Sequence, residues 1–158
     1  MPNVKKLYKR VLFLSAVLIT TLGLNACGQT PDAKAETPKT ATVQTGGVVN
    51  VSNAELQSLL DQGVPLVDIR LPEEWSETGV VANSHKITLF DARGNVNPNF
   101  LAEVQKIAPK DKPVALICRT GNRTRAGAQM LVQSGYKQVY NVTTGIKSWI
   151  GEGRAVTR

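Results

Sequence analysis

Val114-Ala-Leu-Ile-Cys118-Arg-Thr-Gly-Asn-Arg-Thr124 is the stretch on which the reading of this chain turns. Val114 to Ile117 is a short, unbroken apolar run, the pattern of a strand covered on both faces. Thr124 to Ser134 has the composition of a helix, with Thr124 as the expected N-cap and Gly135 as the stop. A strand that runs through a tight loop into a helix belongs to an α/β unit. Ligands of such units sit beyond the carboxyl ends of the strands. Cys118 occupies that end.

Three further apolar runs flank this one: Val48 to Val51, Leu66 to Ile69 and Val139 to Val142. Each is brief, β-branched or aliphatic, and bounded by Gly, Pro or charged residues. Helical patterns lie between them. Ser52 opens one, with Glu55 completing a capping box, Leu56, Leu59 and Leu60 on one face, and Gly63 as its end. Asn99 to Ala108 is another. Alternation of this kind predicts an α/β fold, a mostly parallel sheet flanked by helices on both faces.

The chemistry predicted for Cys118 follows from its neighbours. Loop amides and the dipole of the following helix both stabilise negative charge. Arg119, Arg123 and Arg125 add to them. Gly121 and Asn122 tolerate the positive φ that a loop needs to fold its amides around a central sulfur. The sulfur is therefore expected to be an exposed thiolate and open to oxidation by peroxide. A free cysteine is more often a small buried hydrophobe, but three arginines and a Gly-Asn turn directly after it argue against that here. Arg119 is expected to draw an anion, and Arg123 either to do the same or to brace the loop. Asp68 and Arg70, at another strand end, are expected to form a hydrogen-bonded brace. Trp75 and Trp149 read as core or pocket wall, Glu73, Glu74 and Glu77 as a solvated turn, and His85 as a surface or loop residue.

Composition bounds the rest. The chain has 158 residues and a formal net charge of +7. Lys5, Lys6, Lys9 and Arg10 lie in a leader without acidic residues, and residues 27–158 carry only +3. That is weak support for a polyanion, and no nucleic-acid partner is expected. Two cysteines and one histidine supply neither a structural zinc cage nor a disulfide framework, so no metal or cofactor is expected. Nothing in the pattern asks for a second subunit, and a monomer is expected.

Residues 1–26 read as a signal peptide: a basic start, then an uncharged apolar run from Val11 to Leu24. That run would span only ~21 Å as a helix, short of a bilayer core. Ala26-Cys27 after it resembles a bacterial lipobox, which makes Cys27 the expected lipidation site. Gly28 rather than Asp after the cysteine implies, by the same resemblance, an outer-membrane lipoprotein facing the periplasm. Residues 27–47 then form a lipidation site and flexible linker, rich in Thr, Ala, Lys, Pro and Gly. Residues 48–158 form the folded domain.

Cys118-Arg119-Thr120-Gly121-Asn122-Arg123-Thr124 resembles the active-site loop of rhodanese-like sulfurtransferases. Leu66 to Arg70 with Pro72 to Trp75, Thr78 to His85, and Asn141 to Ile146 with Trp149 resemble further elements of that family. Val80 and Thr144 depart from its usual His and Gly. The resemblance implies a rhodanese-like fold and transfer of sulfane sulfur through a Cys118 persulfide. The expected partners are a small anionic donor such as thiosulfate and a thiophilic acceptor, cyanide or a thiol. It also implies loop contacts to substrate from Arg119 through Thr124, and Trp149 at the substrate mouth. Phosphotyrosine-type phosphatases place an arginine six residues after the cysteine. Here that position is Thr124, which disfavours phosphate or arsenate as substrate. A second reading keeps the same sulfur but has it carry a persulfide or bind an anion for one periplasmic partner, without turnover on small molecules.

Overall fold

The computed structural model describes residues 47–158; the signal peptide, Cys27 and most of the linker predicted from the sequence lie outside them. The strands are β1 (Gly47–Val51), β2 (Leu66–Asp68), β3 (His85–Lys86), β4 (Val114–Ile117) and β5 (Gln138–Val142). They form one five-stranded sheet in the order β1-β5-β4-β2-β3, every neighbouring pair parallel. The helices are α1 (Asn53–Asp61), α2 (Pro72–Thr78), α3 (Phe100–Ile107), α4 (Asn122–Gln133) and α5 (Gly145–Gly151).

Successive residues of a strand face opposite sides of a sheet, and β4 shows how this builds two cores. Val114, Leu116 and Cys118 belong to one apolar layer with Phe100 and Val104 of α3 and Leu131 of α4. Ala115 and Ile117 belong to the other, with Leu56 of α1 and Ile146 and Trp149 of α5. All four β4 residues are fully buried. Burying one large aliphatic or aromatic side chain is worth roughly 1.5–3 kcal/mol, so the two layers pin β4 from both faces. The residue that follows it is thereby placed at the centre of the sheet's carboxyl edge.

Local signals explain the element ends. Ser52 Oγ accepts from the Glu55 amide at 3.3 Å while Glu55 Oε2 accepts from the Ser52 amide at 2.8 Å, the capping box predicted for α1. β1 already includes Gly47, which pairs with Gln138, because strand pairing uses the backbone and not the apolar side chain by which the run was recognised. Two expectations need correction. α4 begins at Asn122, not after Thr124, and its N-cap is Gly121. Thr124 sits one turn in, its Oγ1 donating to the Gly121 carbonyl at 2.8 Å. The expected solvated turn at Glu73 to Glu77 is helix α2, begun by Pro72.

Candidate active site

The Cys118 loop leaves β4 and closes on the start of α4. Gly121 is the turning point, with φ +90°, and its amide donates to Cys118 Sγ at 3.2 Å. The Thr124 hydroxyl lies 3.9 Å from the same sulfur. The amides of Arg119, Thr120, Asn122 and Arg123 meet no acceptor among the described residues. Free N–H groups at the start of a twelve-residue helix make an anion-receiving end. Arg119, Thr120 and Asn122 are exposed, Arg123 is half-buried, and Gly121 and Thr124 are buried.

Cys118 itself is 1% exposed, which corrects the expectation of an exposed thiolate. The strand register seats the residue in the α3/α4 apolar layer, and only the loop side of the sulfur carries polar partners.

A second segment holds the loop from behind. The Ile146 amide donates to the Cys118 carbonyl at 2.8 Å and the Lys147 amide to the Arg119 carbonyl at 3.1 Å. Both amides belong to the first turn of α5. Gly145 allows the approach: its φ is +64°, and a Cβ there would lie 2.5 Å from the Arg119 carbonyl carbon and oxygen. Gly121 is equally constrained, since a Cβ would lie 2.0 Å from the Thr143 carbonyl oxygen. Thr144, where the family pattern has a glycine, keeps φ at −98° and needs none.

Arg123 is held by Glu74 of α2 in a two-pronged ion pair, with both N···O distances 2.6 Å. Pairing with Arg123 keeps the Glu74 carboxyl below the usual carboxylate range, against the opposing effect of burial. Arg123 is raised in turn, first by Glu74 and to a smaller extent by Cys118. Of the two roles predicted for Arg123, the geometry gives it the brace. Glu74 also accepts from the Leu71 amide at 3.0 Å, so one carboxylate both caps α2 and anchors α4.

Asp68 and Arg70 pair at the end of β2, 2.7 Å apart and 0% and 1% exposed. Arg70 also donates to Thr78 Oγ1 at 2.7 Å and to the Gly79 carbonyl at 2.8 Å, tying the far end of α2 to the sheet. Trp149 does not line the mouth of this site. Its indole donates to the Ala155 carbonyl at 2.9 Å, and its ring lines a separate groove with Leu60, Val81 and Arg154. From the sequence Glu74 reads only as part of a solvated turn, and Thr143 and Gly145 only as members of the stretch from Asn141 to Ile146, none of them with a role at the loop. Glu74, three residues after Leu71 at a helix start, carries the spacing of a capping carboxylate, and that was the available signal.

Comparison with known proteins agrees with this parallel α/β architecture. A model of the Rhodanese-like domain matches residues 52–152. The chain belongs to the rhodanese-like domain family. It is 30% identical over 120 residues to Rhodanese-like domain-containing protein 17 of Arabidopsis thaliana, covering 73% of this chain and 77% of that protein. It is 28% identical over 95 residues to the thiosulfate sulfurtransferase GlpE of Pseudomonas syringae, covering 60% and 80%. The crystal structure of a rhodanese-related protein from Thermoplasma volcanium superposes with a TM-score of 0.54 and 34% identity, over 68% of this chain and 96% of that one. In this rhodanese-like domain the loop of Cys118 is therefore the candidate active site.

Proposed function

We propose that this rhodanese-like domain is a sulfurtransferase that carries sulfane sulfur on Cys118. The observation that supports it most is the amide of Gly121 directed at Sγ from a loop whose other amides are free. In the first step the Cys118 thiolate attacks the outer sulfur of thiosulfate. A new S–S bond forms, the old one breaks, and its electron pair leaves with sulfite. In the second step cyanide or a thiolate attacks the outer sulfur of Cys118–S–S⁻. The pair of that S–S bond returns to Sγ, regenerating the thiolate. Negative charge moves by one sulfur at each stage, and the same fixed amides receive it without reorganising. Neither step moves a proton, so no general base takes part. Arg119, exposed beside the loop, attracts the anionic donor. Intact mass of the protein after thiosulfate tests this: a gain of one sulfur (about 32 Da) that cyanide removes and Cys118→Ser abolishes. Absence of that gain ends the reading.

The burial of Cys118 favours a second arrangement of the same chemistry, in which a persulfide forms but is delivered only to a specific partner. Mass gain from thiosulfate with negligible thiocyanate formation would select it.

We infer from the leader that Cys27 is acylated and holds the domain at the outer membrane, facing the periplasm, by acyl chains. Cys27→Ser should move the protein from the membrane to the soluble fraction, and its retention at the membrane would rule this out.

A further inference from the structure

Residues 112–151, which span β4, the Cys118 loop, α4, β5 and α5, contain no Asp or Glu. Four of their six cations, Arg119, Arg123, Arg125 and Lys147, lie at the carboxyl edge of the sheet, while Lys112 and Lys137 precede β4 and β5 at the other edge. Arg119 and Lys147 are brought together by the bond from the Lys147 amide to the Arg119 carbonyl, and Arg125 stands one turn into α4. All three are exposed, and none forms an ion pair among the described residues. Arg123, their neighbour, is the one that is neutralised, by a carboxylate from α2. The surface beside it is polar and small, with Thr120, Asn122, Thr143 and Thr144 exposed and no aromatic among them. An unpaired cationic rim costs self-repulsion and contributes nothing to the fold, whereas a nucleic-acid groove would interleave aromatics for stacking.

We propose that this rim, Arg119, Arg125 and Lys147, docks the acidic surface of a protein whose cysteine thiolate accepts the sulfur. The proposal rests on the sulfur-transfer reading for the fate of the sulfur, but the docking itself does not. The acceptor thiolate attacks the outer sulfur of Cys118–S–S⁻ and leaves with it as its own persulfide, while Sγ recovers the electron pair. Positive charge around the mouth raises the encounter rate of an acidic partner and orients its thiol.

The test measures binding of the full-length chain to a short Asp- and Glu-rich peptide that lacks cysteine. Its Lys-rich counterpart and an oligonucleotide of equal charge serve as comparisons. The acidic peptide should bind about tenfold more tightly than the basic one at low salt. The difference should collapse near roughly 0.5 M salt, where screening acts within about 4 Å. Arg125→Gln combined with Lys147→Gln should remove most of the preference. Equal binding of the two peptides overturns the proposal, as does a preference that survives the double substitution. An oligonucleotide that binds as tightly through the same two residues overturns it in favour of nucleic acid. Mass gain after thiosulfate is read separately. Its absence beside an intact peptide preference removes the sulfur-transfer reading and leaves the docking surface standing.

Discussion

Gly145 shows how much of the site depends on single backbone positions. The residue lies in the left-handed region and within contact distance of the Arg119 carbonyl, so its hydrogen is the only side chain that fits. Gly145→Ala should lower stability by about 2 kcal/mol or more, through strain at positive φ and a backbone clash. It should also reduce the mass gain from thiosulfate, because the Ile146 and Lys147 amides would be pushed off the loop carbonyls they hold. Thr144→Gly, one residue earlier at negative φ, should leave that mass gain unchanged. Urea denaturation and intact mass measure both. Cys118 permits a second expectation at this scale. With 1% of the residue exposed and the loop folded over it, iodoacetamide should modify it several-fold faster than a bulky fluorophore-bearing iodoacetamide, each rate taken relative to free cysteine. Equal rates would mean that the loop opens freely.

Among the elements, the contact between α2 and α4 is the one that sequence periodicity could not display. α2 is seven residues with a single large apolar side chain, Trp75, too little for a 3.6-residue stripe. Its role lies in Glu74. Because the folded state holds that carboxyl below its ordinary range, the Glu74–Arg123 pair stabilises the protein above the unfolded carboxylate range. That contribution is lost as pH falls through the lower, folded value. Wild type should therefore exceed Glu74→Gln in stability by about 1 kcal/mol at neutral pH. The gap should close as the solution is taken below about pH 4. Thermal unfolding of the two proteins across pH checks this, and a gap independent of pH would show that the charge of the carboxylate contributes nothing to it. α1 lies at the other extreme. Its capping box and leucine face were legible because both are local, within one turn of chain.

For the molecule as a whole, Asp68 and Arg70 join the sheet to α2 inside the protein, with both side chains removed from water. Arg70→Met should cost about 3–5 kcal/mol, since it leaves the Asp68 carboxylate buried and without its partner. The Gly79 carbonyl and Thr78 hydroxyl also lose their donor. Chemical denaturation reads this directly. A loss below about 1 kcal/mol would show that water reaches the pair and replaces the guanidinium.

By itself the sequence determined the fold class, the strand that ends in Cys118, and membership of a family, because these rest on continuous apolar runs, caps and a loop motif that are local in the chain. It also determined that the loop is basic. What only the tertiary structure decided is how that loop is held. Strand register set the burial of Cys118, and the packing of α2 made Arg123, left open by the sequence between anion binder and brace, the brace. The parallel crossing order of the sheet brought residues 143–147 against the Cys118 loop. Contacts between segments distant in sequence carry no periodicity of their own. They follow from which faces must be buried together, and that is settled only when every strand has found its neighbour.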